Sequence, residues 1–125
     1  MNKARLLKVI EAVKARPVRL FNMKYWKRAN CKTVCCAIGS YIERNPDCGL
    51  ALHSCLNAPG CFYPSGPVGD GIAAVAAHLE ITENAVIKLF ISESYKKATR
   101  AAVIARIEQF IRDHDQPAPA GKEER

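Results

Sequence analysis

The 125-residue chain is 49% hydrophobic and 25% charged, and it has a formal net charge of +7 at neutral pH. This length and mixture are typical of one globular domain, which needs neither a metal nor disulfides to build a core. No apolar run reaches the ~18 residues of a membrane helix, and residues 1–5 do not precede the apolar block of a secretory signal, so we expect a cytoplasmic protein without a membrane partner.

A first helix is predicted before Pro17, because Leu6, Ile10 and Val13 have the i, i+4, i+7 spacing of an apolar helix face. The connector over residues 18–30 contains a cluster of aromatic residues and a methionine. We expect this cluster to pack across the first helix, because single aromatic residues are more often core anchors than stacking platforms for bases.

A second helix is predicted over residues 34–44. Thr33 is a suitable N-cap, and Pro46 prevents the helix from continuing past Asn45. Gly39 lies on the apolar face, where its missing side chain would let another helix approach closely.

Residues 45–71 differ in composition from the rest of the chain. They contain four of the seven prolines and five of the seven glycines. We expect a loop-rich insertion in which residues 49–57 form a short helix and the remainder forms turns.

Helical patterning resumes over residues 72–79. Thr82 is predicted to cap a short helix over residues 83–91, and Thr99 to cap a last helix that buries Val103 and other apolar residues.

No convincing alternating strand is visible, so the sequence predicts an all-α fold. It would be a single compact domain of about five helices over residues 1–115, with the insertion at 45–71. Residues 116–125 consist mainly of Pro, Ala, Gly and charged residues, and we expect this tail to be disordered.

The positive charge is concentrated in the first quarter of the chain. Residues 1–32 contain ten Lys and Arg residues and one acidic residue, whereas the other 93 contain nine basic and eleven acidic residues. This distribution favours a surface that faces an anionic ligand or an acidic partner, and the alternative is a solvated face that only maintains solubility. The candidate binding residues are Arg19, Lys24, Trp26, Lys27, Arg28 and Lys32.

Residues 72–91 fit a helix-turn-helix, although Glu80 occupies the turn position where glycine is usual. A DNA-reading role would use Thr82, Asn84 and Lys88 as contacts. One lysine offset by one glutamate is a poor source of phosphate attraction, so a packed helical hairpin is the alternative. The exposed side chains Ile87 and Ile91 would suit a partner helix or self-association.

Six cysteines lie within 31 residues. Without an export signal they are expected to be reduced and to pack as small hydrophobic residues. The alternative is a zinc-stabilised module that uses Cys31, Cys35, Cys55 and Cys61, although these spacings differ from those of common zinc knuckles. In the predicted helix, His53 and Cys55 would point in opposite directions and could not bind the same ion. We therefore expect no cofactor.

Catalysis by a cysteine–histidine pair would need His53, His78 or His114 as the base, and no pattern places any of them beside a thiol. His78 lies on an apolar helix, where a satisfied core histidine is the more common case. The sequence therefore favours a protein that is not an enzyme.

Four segments together resemble a group of small bacterial and phage proteins. They are FNMxxW at 21–26, CxTVxCxIG at 31–39, LxITxxAxxxLF at 79–90, and TxxAxxxRI at 99–107. The resemblance covers about residues 20–111 and implies a compact helical domain of phage or bacterial origin, with no reaction attached. It also implies that Cys31, Thr33 and Cys36 open a buried helix, which favours cysteine as a packing residue.

The function expected from these observations is that of a non-catalytic accessory protein of the phage counter-defence or host-takeover type. It would bind an anionic ligand, such as a nucleotide or nucleic acid, or an acidic protein partner through its basic N-terminal quarter. The alternatives are a DNA-binding regulator that uses residues 72–91 and a zinc-stabilised interaction module.

Overall fold

The computed structural model describes residues 1–24, 26–29, 33–56 and 60–115. These residues contain both helices and a β-sheet, so the all-α prediction is wrong. The helices are α1 (Lys3–Ala15), α2 (Ala37–Arg44), α3 (Ile72–Leu79), α4 (Glu83–Phe90) and α5 (Arg100–His114), and the strands are β1 (Lys27–Ala29), β2 (Thr33–Cys35), β3 (Ala51–Ser54), β4 (Cys61–Gly66) and β5 (Gly69–Asp70).

The helices that the apolar spacing predicts at both ends of the chain are confirmed as α1, α3, α4 and α5. The predicted caps of the last two helices, Thr82 and Thr99, are confirmed too. The Thr82 hydroxyl accepts the Ala85 N–H at 3.1 Å, and the Thr99 hydroxyl accepts the Ala102 N–H at the same distance. Both caps satisfy a backbone donor that the first helical turn leaves unpaired.

The predicted helix over residues 49–57 is wrong, because this segment contributes β3 to an antiparallel hairpin with β4. The sheet has the strand order β2-β1-β4-β3, and β5 also pairs with β4. One residue beyond β3, the Cys55 N–H donates to the carbonyl of Cys61, the first residue of β4, at 2.8 Å. Since hydrogen-bonded pairs alternate along an antiparallel ladder, Leu52 and Pro64 form a non-bonded pair. Pro64 therefore costs this hairpin no ladder bond, and a proline is tolerated within a paired strand.

Helix α2 begins at Ala37, three residues later than predicted, and its N-cap is Cys36 rather than Thr33. Thr33 lies in β2, opposite Ala29 of β1. Thr33 and Val34 are both β-branched, which favours a strand. Pairing with β1 then satisfies their backbone hydrogen-bonding groups, so α2 begins only after them.

The close approach at Gly39 involves a backbone carbonyl and not another helix, which corrects the prediction. The Trp26 carbonyl lies so near that a Cβ built on Gly39 would be 1.7 Å from its oxygen. The same oxygen accepts the Cys36 N–H at 3.3 Å. Gly39 therefore lets the chain that enters β1 rest directly on α2.

The core lies between the helices and one face of the sheet. Helix α1 packs against α2 and α5, and α3 packs against α4 and β4. Among the described residues, no helix combines the length and the apolar character needed to cross a membrane. The predicted disordered tail, residues 116–125, lies outside the described residues. The largest fully buried side chains are Tyr41, Phe90, Leu6, Ile38, Leu79, Leu89 and Ile107.

Candidate anion-binding cleft

The basic residues predicted to bind a ligand differ in their surroundings. Arg19 and Lys24 are exposed, and Trp26 is half-buried. The Lys27 ammonium lies 2.6 Å from Glu43 Oε2 and 5.0 Å from the centre of the Phe62 ring. The side chain of Arg28 and the whole of Lys32 lie outside the described residues.

Glu43 neutralises part of the positive charge of this region. Its other carboxylate oxygen lies 3.2 Å from Arg16 Nη1. Burial raises the pKa of the Glu43 carboxyl, but hydrogen bonds and charge from Lys27 and Arg16 outweigh burial and lower it below its ordinary value. Glu43 is therefore ionised at neutral pH, and Lys27 is engaged in holding β1 to α2.

Two other basic residues from the first quarter of the chain, Arg5 and Lys8, line a cleft of about 500 Å³. One wall is the N-terminal half of α1, and the other is the end of α2 with the segment that follows it. We call this the α1 cleft. Its lining residues are Asn2, Ala4, Arg5, Lys8, Tyr41, Asn45, Pro46, Asp47 and Cys48.

A buried hydrogen bond joins the cleft to the core. Tyr41 Oη lies 2.6 Å from His78 Nε2, and the two residues are 1% and 9% exposed. Burial, together with the nearby Cys48, raises the pKa of Tyr41 to about 12, and the charge of Arg5 opposes this rise. Burial also lowers the pKa of His78, as does the charge of Arg5. At neutral pH the His78 imidazole is thus neutral and shares a hydrogen bond with the neutral Tyr41 hydroxyl.

Arg5 is fixed at the inner edge of the cleft. Its Nη1 donates to the His78 carbonyl at 2.7 Å, and the residue is half-buried. Lys8 follows three residues later on the same helix and is exposed, so both cations face the cleft from adjacent turns. This pair supplies localised positive charge, and the planar guanidinium keeps further donors beyond the one that the carbonyl takes.

The opposite wall supplies polar groups of mixed character. Asn45 Nδ2 donates to the Tyr41 carbonyl at 2.9 Å, which holds the end of α2 in place. Cys48 Sγ accepts the Leu50 N–H at 3.4 Å, and its thiol is partly exposed at the cleft. Asp47 adds one carboxylate, which can accept hydrogen bonds from a ligand that carries hydroxyl or amino groups.

The histidine under the cleft predicts a loss of stability in mild acid. Because folding lowers the pKa of His78, the unfolded chain binds the proton more readily, and the free energy of unfolding falls as the pH drops below 6.5 towards the lowered value. Arg5 from α1 and Tyr41 from α2 act on this ring, and Cys48 acts on the Tyr41 hydroxyl. We expect His78→Gln to reduce the slope of stability against pH between about pH 6.5 and 5. Urea denaturation at several pH values measures it, and an unchanged slope contradicts the assignment.

The predicted helix-turn-helix exists as α3, a turn and α4. Glu80 adopts the left-handed conformation, with φ of 57°, that this turn requires and that glycine usually supplies. Thr82, Asn84 and Lys88 are exposed, as is the acidic Glu83 on the same helix. Helices α3 and α4 pack against each other, and the charges of Glu83 and Lys88 on the exposed face of α4 offset each other.

The described cysteines of the predicted zinc site, Cys35, Cys55 and Cys61, belong to no group of three or more metal-ligating side chains. Cys31 lies outside the described residues, and Cys35 is buried in β2. Burial raises the pKa of Cys35 to about 11 and that of Cys36 to about 12, so both are inert thiols at neutral pH. Cys55 and Cys61 are half-exposed. Among the described residues, no group of three or more His, Cys, Asp or Glu side chains could hold a metal ion.

No family model matches the chain, and no curated protein or solved structure is significantly similar to it. Sequence reasoning did not single out Arg5, Lys8 or Tyr41. A signal was present for the first two, because Arg5 and Lys8 are an i, i+3 basic pair on a helix whose other face is apolar.

Proposed function

We propose that the protein binds a small anionic molecule in the α1 cleft. The observation that supports this proposal is the convergence of Arg5 and Lys8 on a concave space of about 500 Å³ with a buried, hydrogen-bonded polar floor. Concave sites with a few well-placed polar groups are the usual form of small-molecule sites. The ligand would lie against α1, and Arg5 and Lys8 from the basic first quarter of the chain would supply the positive charge that binds it.

The chemistry of the lining defines the ligand further. A phosphate or carboxylate group would lie against Arg5, which is already oriented by the His78 carbonyl and therefore loses little freedom on binding. The exposed Lys8 would complete the anion contact. Asp47 repels a ligand that is anionic throughout, so it favours a compound that also bears hydroxyl or amino groups, as a nucleoside monophosphate does.

Lys8→Gln is expected to lower the affinity for such a ligand about tenfold, because a charged contact is replaced by a neutral one. Lys14→Gln is the matched control, since Lys14 is an exposed lysine on the same helix that does not line the cleft. Its affinity should stay within about twofold of the parent protein. Isothermal titration with inorganic phosphate, citrate and adenosine monophosphate measures both, with the ligand present in large excess.

A second readout locates the binding. A ligand in the cleft should slow alkylation of Cys48 by N-ethylmaleimide and leave alkylation of Cys61 unchanged, since Cys61 lies in β4. Equal losses of affinity in Lys8→Gln and Lys14→Gln, or no binding of any probe, would contradict the proposal. Binding of a DNA duplex that Lys88→Glu weakens and Lys8→Gln does not would replace it with the DNA-binding alternative.

A further inference from the structure

Two half-exposed cysteines, Cys55 and Cys61, lie opposite each other in the backbone register at the end of the β3–β4 hairpin. The register pairs Ser54 with Phe62, so the next step of the ladder places Cys55 opposite Cys61. The Cys55 N–H donates to the Cys61 carbonyl at 2.8 Å, which shows that the antiparallel pairing continues to this position.

The side chains of a directly opposed pair lie on the same face of the sheet. His53 and Tyr63 form the pair two residues earlier, and their ring centres lie 6.0 Å apart on that face. Hydrogen-bonded antiparallel pairs have Cα atoms about 5.5 Å apart, which is within the range of about 4.4–6.8 Å that a disulfide spans. The Cβ atoms of such pairs lie about 4.5–5.5 Å apart, whereas a disulfide needs about 3.5–4.5 Å, so cross-linking of Cys55 and Cys61 requires a small local closing of the two strands but no change of register.

We propose that Cys55 and Cys61 form a reversible cross-strand disulfide when the protein meets a small disulfide oxidant such as glutathione disulfide. Both thiols are partly exposed, whereas Cys35 and Cys36 are buried. The pair lies on the hairpin and does not line the α1 cleft, so this modification is independent of ligand binding there.

The reaction is two successive thiol–disulfide exchanges. A thiolate of the pair attacks one sulfur of glutathione disulfide, the S–S bond breaks, and glutathione leaves as a thiolate that takes up the released proton. The other cysteine then attacks the protein-side sulfur of the mixed disulfide and displaces the second glutathione. Two protein thiols are oxidised, and one glutathione disulfide is reduced to two glutathione molecules.

The cross-link would act on the connection between the two strands. It closes a ring of seven residues from Cys55 to Cys61, and Leu56 inside this ring is 98% exposed. A short covalent ring restricts the conformations of the enclosed segment. The oxidised and reduced forms would therefore present this exposed leucine differently to any partner.

The test treats the reduced, folded protein with glutathione disulfide, blocks the remaining thiols in acid and identifies the linked peptides by mass spectrometry. Chymotrypsin is suitable because Leu50, Leu52 and Leu56 separate the three cysteines of this region into different peptides. We expect the Cys55–Cys61 link to exceed the Cys48–Cys55 link at least tenfold. Cys61→Ser should abolish the dominant link, and Cys48→Ser should leave it unchanged.

The same oxidation in concentrated guanidinium chloride is the control for the effect of short separation along the sequence. Cys48–Cys55 closes a ring of eight residues and Cys55–Cys61 a ring of seven, so the unfolded chain should form the two links in similar yield. A preference that disappears on unfolding supports the proposal. It is overturned if the folded protein shows no preference, or if only mixed disulfides with glutathione accumulate at Cys55 and Cys61.

Discussion

Gly39→Ala is expected to leave little or no folded protein. The new Cβ would lie 1.7 Å from the Trp26 carbonyl oxygen and 2.8 Å from the carbonyl carbon, and real Cβ atoms do not approach backbone this closely. The Trp26 carbonyl cannot move away freely, because it accepts the Cys36 N–H and leads directly into β1. Overpacking typically costs about 1–3 kcal/mol and more where the clash is with backbone that cannot shift, which is a large part of the ~5–15 kcal/mol that stabilises a typical domain. Circular dichroism during thermal unfolding measures the effect.

Gly66→Ala is the matched control for this prediction. A Cβ at Gly66 would meet the end of the Leu50 side chain at 3.0 Å, and a side-chain methyl group can rotate aside where a backbone carbonyl cannot. Gly66 is not among the residues with positive φ, so alanine fits its backbone conformation. We expect a change in the free energy of unfolding within about 1 kcal/mol. Similar melting temperatures for the Gly39 and Gly66 variants would contradict the close approach of the Trp26 carbonyl to Gly39.

Phe90→Ala is expected to destabilise the protein by about 3–5 kcal/mol. Phe90 is the last residue of α4 and is 1% exposed, so its removal leaves a cavity among side chains that cannot fully collapse into it. Urea denaturation measures the loss as a lower midpoint with an unchanged slope.

Ile87→Ala tests whether this effect comes from burial. Ile87 lies on the same helix and is 40% exposed, so its truncation removes little buried surface and adds a residue of higher helix propensity. We expect a loss below about 1 kcal/mol. A loss as large as that of Phe90→Ala would mean that Ile87 is covered in solution, for instance by a second copy of the chain.

The sequence predicts the helices of this fold well and its sheet poorly, for a physical reason. Helices α1 and α5 are 13 and 15 residues long, so the apolar repeat recurs several times in each. Strands β1, β2 and β5 have two or three residues, which is too short for an alternating pattern to be recognised. In β4, Pro64 lowers the strand signal further, although its position in the ladder makes it harmless.

The candidate site was predictable only in part. The excess of positive charge in the first quarter of the chain indicates the sign of a ligand, and Arg5 and Lys8 belong to that excess. Their partners in the cleft come from elsewhere. The bond between Tyr41 and His78 joins residues 37 positions apart, and local spacing contains no information about such a contact. The mixed fold creates the cleft, because the segment that enters β3 turns back past α1.

The order of strands in the sheet has a kinetic consequence. Strand β1 pairs with β4, so Lys27 must find Phe62 before the centre of the sheet exists. Closing such a long loop costs chain entropy before any contact compensates for it, and domains rich in distant pairings reach the native state more slowly than helical bundles do. Pairing of β1 with β4 should therefore be the rate-limiting step of folding, whereas the local hairpin of β3 and β4 can form early.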